Sequence, residues 1–236
     1  MTSTIRSFSA VILVLAMLLS ACGNQPASSP NTPTPSTSTT TKGPVPNDLM
    51  TVEAQAEDII DFVPGGNWSK VNADISTIDK AWSAYQPQAA KDGATQAMQD
   101  SFSQSLSRLK SASTSQDAMG TLQAANDLSA AVVDLFDLYQ SVVPTEIGRL
   151  DVLERQIILD VEKQDSGAAN DTLAKINTVW ERVKPSVLSN DGKDEAAQFD
   201  ESLATQTQAL EAKDSAALTN EARNGLEIVD ALEQVY

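Results

Sequence analysis

The stretch WSKVNADISTIDKAWSAYQP, residues 68–87, carries the clearest helical signal in the chain. Its large apolar residues recur every three or four positions, which places them on one face of an α-helix. They are Trp68, Val71, Ile75, Ile78, Trp82 and Tyr85. Asn67 precedes the stretch and can accept hydrogen bonds from the free N–H groups of a first turn. Pro87 is predicted to end the helix, because proline lacks the backbone N–H that a helix interior needs.

The same pattern returns 98 residues later as SGAANDTLAKINTVWERVKP, residues 166–185, with Asp165 in the place of Asn67. The agreement continues on both sides of this stretch, at an offset of 97 after a one-residue deletion. Matched pairs include Pro46 and Pro144, Ile59 and Ile157, Ile78 and Ile176, Trp82 and Trp180, Pro87 and Pro185, Phe102 and Phe199, Leu135 and Leu232, and Tyr139 and Tyr236. We interpret the two segments as a tandem duplication, with repeat 1 at residues 46–143 and repeat 2 at residues 144–236.

Each repeat divides into four amphipathic helical stretches joined by short connections. Short connections force neighbouring helices to run antiparallel. The sequence therefore predicts an all-α fold, built as two up-down four-helix bundles or as one fused eight-helix array. The brief connection at residues 140–143 favours a helix that runs almost straight from repeat 1 into repeat 2. A solenoid is the less favoured arrangement, because the unit is long and has only two copies.

Composition excludes several classes of function. The chain has a formal net charge of −16, so it repels phosphate backbones, and we expect no nucleic-acid partner. It contains no histidine and a single cysteine, Cys22. Histidine-dependent catalysis, histidine-ligated haem or zinc and internal disulfides are therefore ruled out. We expect a protein that is not an enzyme and has no cofactor.

Carboxylate-only metal binding stays open on sequence grounds. The candidate groups are Asp58 with Asp61, Asp134 with Asp137, and Asp191 with Asp194 and Glu195. The last group lies in a segment that superficially suggests a calcium loop. With Gly192 at the sixth position, however, the first and twelfth positions would be Val187 and Gln198, so the EF-hand pattern fails. Helix capping by Asn190 or Asp191 explains the segment better.

The beginning of the chain has the pattern of an export signal. Residues 10–19 are an uninterrupted apolar run, preceded by Arg6 and followed by Leu19-Ser20-Ala21-Cys22. This last motif resembles the lipobox of bacterial lipoproteins. The resemblance implies that residues 1–21 are a signal peptide, and that Cys22 receives a lipid and becomes the anchored N-terminus. Gly23 after the cysteine implies the outer membrane in a diderm host, or the outer face of the membrane in a monoderm host.

Residues 22–45 are rich in serine, threonine and proline and contain almost no large apolar residue. Such a segment cannot bury enough apolar surface to fold, so we expect a disordered tether. A lipobox, this tether and tryptophan-containing helices together are similar to uncharacterised helical-bundle lipoproteins of bacteria. That similarity implies an extracytoplasmic protein held on a membrane by its lipid.

Two hypotheses for the function remain open. The first is a non-enzymatic binding or envelope-scaffolding role toward another envelope protein. The second is a ligand- or metal-binding component of an uptake or sensing system, with Asn72 and Asn170 as candidate polar residues near the apolar seam. Trp82 and Trp180 lie in the middle of that seam and are predicted to be core residues. Trp68 has no aromatic counterpart and sits at a helix start, so it is the candidate surface contact.

Overall fold

A computed structural model describes residues 42–236 of the chain, and Cys22, the predicted signal peptide and most of the predicted tether lie outside this range. The described residues contain eight helices and two very short strands, which confirms the all-α prediction. The helices are α1 Asn47–Phe62, α2 Trp68–Ala89, α3 Gln96–Thr114, α4 Ala118–Phe136, α5 Thr145–Glu162, α6 Ser166–Ser189, α7 Lys193–Glu211 and α8 Ser215–Glu233. The strands are β1 Lys42–Pro44 and β2 Tyr139–Gln140. None of these helices is both long enough and apolar enough to cross a membrane.

The helices form two sets of four, each around its own apolar core. In the first set, which we call the first bundle, α1 packs on α2 and α4, and α3 packs on α2 and α4. In the second bundle, α5 packs on α6 and α8, and α7 packs on α6 and α8. The first core draws buried residues from Leu49 to Tyr139, and the second from Ile147 to Leu232. The two sets meet where α4 packs against α5.

The two seam tryptophans are core residues, as predicted. Trp82 is 5% exposed and stacks on Phe102 with a centroid separation of 3.8 Å. Trp180 is 1% exposed and meets Phe199 edge to face at 4.8 Å. The equivalent aromatic pair therefore holds α2 to α3 in one bundle and α6 to α7 in the other.

The helix starts agree with the sequence pattern, but the predicted helix ends at proline are wrong. Asn67 caps α2 by accepting from the Lys70 N–H, and Asp165 caps α6 by accepting from the Ala168 N–H. Pro87 and Pro185, in contrast, lie inside helices that continue to Ala89 and Ser189. A proline near the C-terminus of a helix removes only one hydrogen bond, and burial offsets that loss here. The residues beyond the prolines, Ala89 and Val187, are both fully buried.

The prediction of a straight helix from one repeat into the next is also wrong. The connection between α4 and α5 contains β2, and α5 turns back to lie alongside α4. β2 pairs in parallel with β1, so Lys42–Pro44, at the end of the predicted disordered tether, is ordered. Val45 contributes to this order because it is partly buried against the first core.

The segment around residue 190 is a helix end and not an N-cap. Asn190 is the C-cap of α6, and its Nδ2 donates to the Ser186 carbonyl at 2.9 Å. Asp191 has φ +65°, a left-handed turn conformation. The N-cap of α7 is Gly192, which has no side chain to cap with. Asn190 therefore caps a helix, as expected, but at the C-terminal end of α6 and not at the start of α7.

Candidate binding site between the two bundles

The candidate residues of the sequence patterns do not assemble into one site. Cys22 lies outside the described residues. Trp68 is half-buried and packs against the first core, so part of its surface faces solvent, and its role as a surface contact stays a prediction. Asn72 and Asn170 are exposed, and Asn72 Oδ1 accepts from Ser113 Oγ at 2.8 Å. Neither asparagine lines either of the two pockets described below.

The candidate carboxylate pairs have protein partners or lie on helix surfaces. Arg149 on α5 binds both members of one pair, at 3.1 Å from Asp134 Oδ1 and in contact with Asp137. Asp58 accepts from Gln55 on the same helix, and Asp61 is exposed. Within residues 42–236, no three histidine, cysteine or acidic side chains lie close enough together to hold a metal ion.

The contact between α4 and α5 is specific and polar. Asn126 Nδ2 donates to the Val152 carbonyl at 3.1 Å, and Gln123 Nε2 donates to Gln156 Oε1 at 2.8 Å. The partner on α5 has the higher residue number where the residue on α4 has the lower one, so α4 and α5 are antiparallel. Gly148 allows the close approach, because a Cβ at that position would lie 3.3 Å from Val133 Cγ2.

Arg155 on α5 is the centre of a largely buried charge cluster at this junction. Its Nη2 lies 2.7 Å from Glu57 Oε1 and 2.6 Å from Asp151 Oδ2. Burial raises the pKa of Asp151 to about 7; Arg155 opposes the rise, and Glu57 adds to it. Burial and then repulsion from Glu57 also raise the pKa of Glu53 to about 7. One guanidinium group therefore does not balance the negative charge around it.

A pocket of 490 Å³ opens beside this cluster, and we call it the junction pocket. Its walls come from both bundles: the end of α1, the beginning of α4, the second half of α5 and the middle of α8. Its charged lining residues are Glu57, Asp61, Asp151, Arg155, Glu162, Arg223 and Asp230. Its apolar lining residues include Ile60, Leu122, Ile158 and Leu226, all partly buried. The volume lies in the range of about 300–1,000 Å³ that small-molecule sites occupy.

Two buried polar atoms of pocket-lining residues have no hydrogen-bond partner within residues 42–236. They are Asn126 Oδ1, which can only accept, and Arg155 Nη1, which can only donate. Asn126 is 2% exposed. Leaving a buried polar atom without a partner costs about 1–3 kcal/mol, so such atoms require an explanation.

A second polar group lies inside the second bundle, away from the junction pocket. Glu154 on α5 is fully buried, and Gln206 Nε2 on α7 donates to both of its carboxyl oxygens at 3.0 Å. Burial raises the pKa of Glu154 to about 8, and the bond from Gln206 opposes part of that rise. Gly225 on α8 leaves room for the Glu154 carboxyl group, since a Cβ at position 225 would lie 2.7 Å from Glu154 Cδ.

The sequence patterns contained two signals for these groups that were missed. Glu154 occupies the seam position of Ala56 in repeat 1, so a carboxylate on an otherwise apolar seam was visible from the alignment of the repeats. Glu57 and Arg155 also occupy equivalent positions with opposite charge, and they bind each other across the junction. Residues of opposite charge at equivalent positions suit a contact between the two copies.

A second pocket, of 530 Å³, lies at one end of the second bundle and is lined by residues of α5 to α8 and their connections. None of its lining residues has a buried polar atom without a partner among the described residues. The junction pocket is therefore the stronger candidate site.

Comparison with known proteins adds no assignment: no protein-family model, no curated protein and no solved structure matches this chain.

Proposed function

We propose that this chain is a lipid-anchored, extracytoplasmic helical-bundle protein with a non-enzymatic binding or envelope-scaffolding role. The observation that carries the proposal is the motif Leu19-Ser20-Ala21-Cys22, directly after the apolar run of residues 10–19. Two or more acyl chains on one cysteine are sufficient for stable membrane attachment. Gly23 favours the outer membrane in a diderm host.

The non-enzymatic part of the proposal rests on chemistry. Without histidine, and with its single cysteine in the lipobox, the folded part lacks the side chains of the commonest nucleophile–base and metal-assisted mechanisms. A bundle surface and a junction pocket are instead suited to contact with a partner. The candidate partners are the membrane, through the anchor, and an envelope protein or a small ligand.

The anchor is tested by expressing the full chain in a bacterial host with radiolabelled palmitate and separating membrane from soluble fractions. We expect the label on the wild-type protein and none on Cys22→Ser, which should be released or mislocalised. Ser20→Ala keeps a small residue in the motif and serves as the control that stays labelled and anchored. Blocking lipoprotein signal cleavage with a globomycin-type inhibitor should accumulate the uncleaved form. Membrane attachment of Cys22→Ser equal to the wild type would refute the anchor.

The scaffolding role is tested by affinity capture from solubilised envelope material, with the Cys22→Ser protein as bait. Recovery of the same envelope protein in repeated captures, lost when α8 surface charges are reversed, would support it. A capture that recovers nothing specific argues against it.

A ligand-binding component of an uptake or sensing system is the second candidate function. The junction pocket favours it, because its walls come from both bundles and two of its lining residues, Asn126 and Arg155, have buried polar atoms without a partner in residues 42–236. A panel of small solutes and divalent cations tests this candidate by thermal unfolding. A shift of the unfolding midpoint supports ligand binding, and no shift across the panel argues against it.

A further inference from the structure

Asn126 lines the junction pocket, and its buried side-chain oxygen determines one property of a ligand that reaches it. Asn126 Nδ2 already donates to the Val152 carbonyl and to Gln156 Oε1, both at 3.1 Å. These two bonds fix the orientation of the amide and leave Oδ1 as an acceptor with no donor among residues 42–236. A ligand that complements this atom must therefore carry an N–H or O–H group.

The charge of the pocket determines a second property. Five carboxylates line it together with two guanidinium groups, so its lining has a negative excess when all are ionised. The more buried of the two guanidinium groups, Arg155, is already held by Glu57 and Asp151. An anionic ligand would have to compete with these carboxylates at Arg155, which leaves it the exposed Arg223 as the other cationic group of the pocket, in a chain of net charge −16. A cationic ligand would instead be attracted to Asp61, Glu162 and Asp230 at the pocket.

The uncharged lining residues of the pocket restrict the kind of cation that it can bind. The apolar lining offers a surface for a short hydrocarbon body. No aromatic residue lines the pocket, so it lacks the ring faces that bind quaternary ammonium groups. No group of acidic side chains in the described part of the chain is arranged to hold a metal ion. Arg155 Nη1 is a buried donor without a partner in residues 42–236, so it can donate to a neutral oxygen of a ligand that reaches it.

We propose that the junction pocket binds a small organic cation that carries a primary ammonium or guanidinium group on an apolar body, with a neutral oxygen that accepts from Arg155. The N–H groups of the cation bond to Asn126 Oδ1 and to the pocket carboxylates. The hydrocarbon body packs against Ile60, Leu122, Ile158 and Leu226. The inference rests on the proposed binding role and names the ligand class for the second candidate function.

The test is isothermal titration calorimetry of the full-length protein, purified in a non-ionic detergent, with four probes: 6-amino-1-hexanol, trimethylhexylammonium, hexanoate and Ca²⁺. We expect 6-amino-1-hexanol to bind at least tenfold more tightly than trimethylhexylammonium, which has the charge but neither the N–H groups nor the oxygen, and we expect hexanoate not to bind. Tighter binding of either of these two probes would overturn the proposal. So would no binding of 6-amino-1-hexanol, or Ca²⁺ binding that displaces it.

Matched variants locate the site. Asp61→Asn combined with Asp230→Asn removes two pocket charges from exposed positions and should weaken binding of 6-amino-1-hexanol about three- to tenfold. Glu227→Gln changes an exposed α8 carboxylate that does not line the pocket, and it should leave the affinity within twofold. Equal effects of the two sets would place the binding elsewhere and overturn the proposal.

The outcome is separable from that of the proposed function. Loss of anchoring in the palmitate experiment alongside retained cation binding would refute the anchored location alone. Normal anchoring and partner capture without cation binding would overturn only the ligand inference.

Discussion

The two bundles fill one equivalent layer of their cores with side chains of different polarity. In the first bundle this layer contains Ala56, Leu109 and Leu128; at the equivalent positions the second bundle has Glu154, Gln206 and Gly225. All six residues are buried. The first bundle has a small side chain on α1, Ala56, opposite a large one on α4, Leu128. The second bundle has a large side chain on α5, Glu154, opposite a glycine on α8, Gly225. The comparison shows that side-chain volume is conserved between the bundles, whereas polarity is not.

The helices α4 and α8 show the same divergence on their outer faces. Four equivalent pairs are Asn126 and Arg223, Ser129 and Leu226, Val133 and Asp230, and Phe136 and Glu233. The α4 face is covered by α5, and its members are neutral. The α8 face has no comparable packing against α1 in the described part of the chain, and it is mostly charged. Equivalent positions therefore diverged according to whether the other bundle covers them.

The largest expected effect comes from exchanging the residues at one equivalent pair. Val133→Asp places a carboxylate where α5 closes over α4 at Gly148, and it should lower the free energy of unfolding by about 3–5 kcal/mol. Asp230→Val makes the reverse change on the uncovered face and should alter stability by no more than about 0.5 kcal/mol. Urea unfolding followed by circular dichroism measures both. Equal losses would show that the two faces are not covered differently.

The second effect is a gain in stability from making the second core resemble the first. The triple variant Glu154→Ala/Gln206→Leu/Gly225→Leu should raise the free energy of unfolding by about 1–4 kcal/mol, because buried polar groups are replaced by packed apolar ones. Gln206→Leu alone is the control. It removes the only side-chain donor to Glu154 in the described residues and should lower stability by about 1–3 kcal/mol. A triple variant less stable than this single variant would contradict the conclusion that side-chain volume is conserved between the two bundles.

The third effect is a pH dependence that the first core does not share. The pKa of Glu154 is raised from 4.5 to about 8, so the folded state binds its proton more tightly than the unfolded chain does. The stability from this group is therefore fully present below pH 4.5 and is lost as pH rises through about 8. The slope should reach at most about 1.4 kcal/mol per pH unit. Glu154→Gln should be flatter than the wild type between pH 5 and 8 in urea unfolding, and parallel curves would refute the assignment.

The smallest effect distinguishes the two equivalent N-caps. Asp165 Oδ1 accepts from the Ala168 N–H at 2.9 Å, whereas Asn67 Oδ1 accepts from the Lys70 N–H at 3.4 Å. We expect Asp165→Ala to cost about 1 kcal/mol and Asn67→Ala about 0.5 kcal/mol. Thermal unfolding of the two variants and of the wild type gives the order. The reverse order would indicate that the length of the capping bond does not control its contribution.

Much of the helical architecture was predictable because it follows from local spacing. The apolar seam of residues 68–85 and its copy predicted that Trp82 and Trp180 are core residues. Asn67 and Asp165 predicted where two helices begin. The predicted helix ends at Pro87 and Pro185 were wrong because the hydrogen bond that a proline removes is a small, local loss. The burial of Ala89 and Val187 outweighs that loss, and it depends on contacts with other helices. The junction pocket could not be predicted, since its walls come from α1, α4, α5 and α8, which are distant in sequence.

The sequence by itself determined the number and order of the helices, the repeat and the acidic charge, and it carries the lipobox-like motif that ends at Cys22. Each of these is a property of neighbouring residues or of composition. Only the tertiary structure decided that α5 folds back along α4, which buries Asn126 and Arg155 with unpartnered polar atoms. The physical reason is that the environment of a polar group depends on which distant helix covers it, and the covering helix is selected by packing across the whole chain.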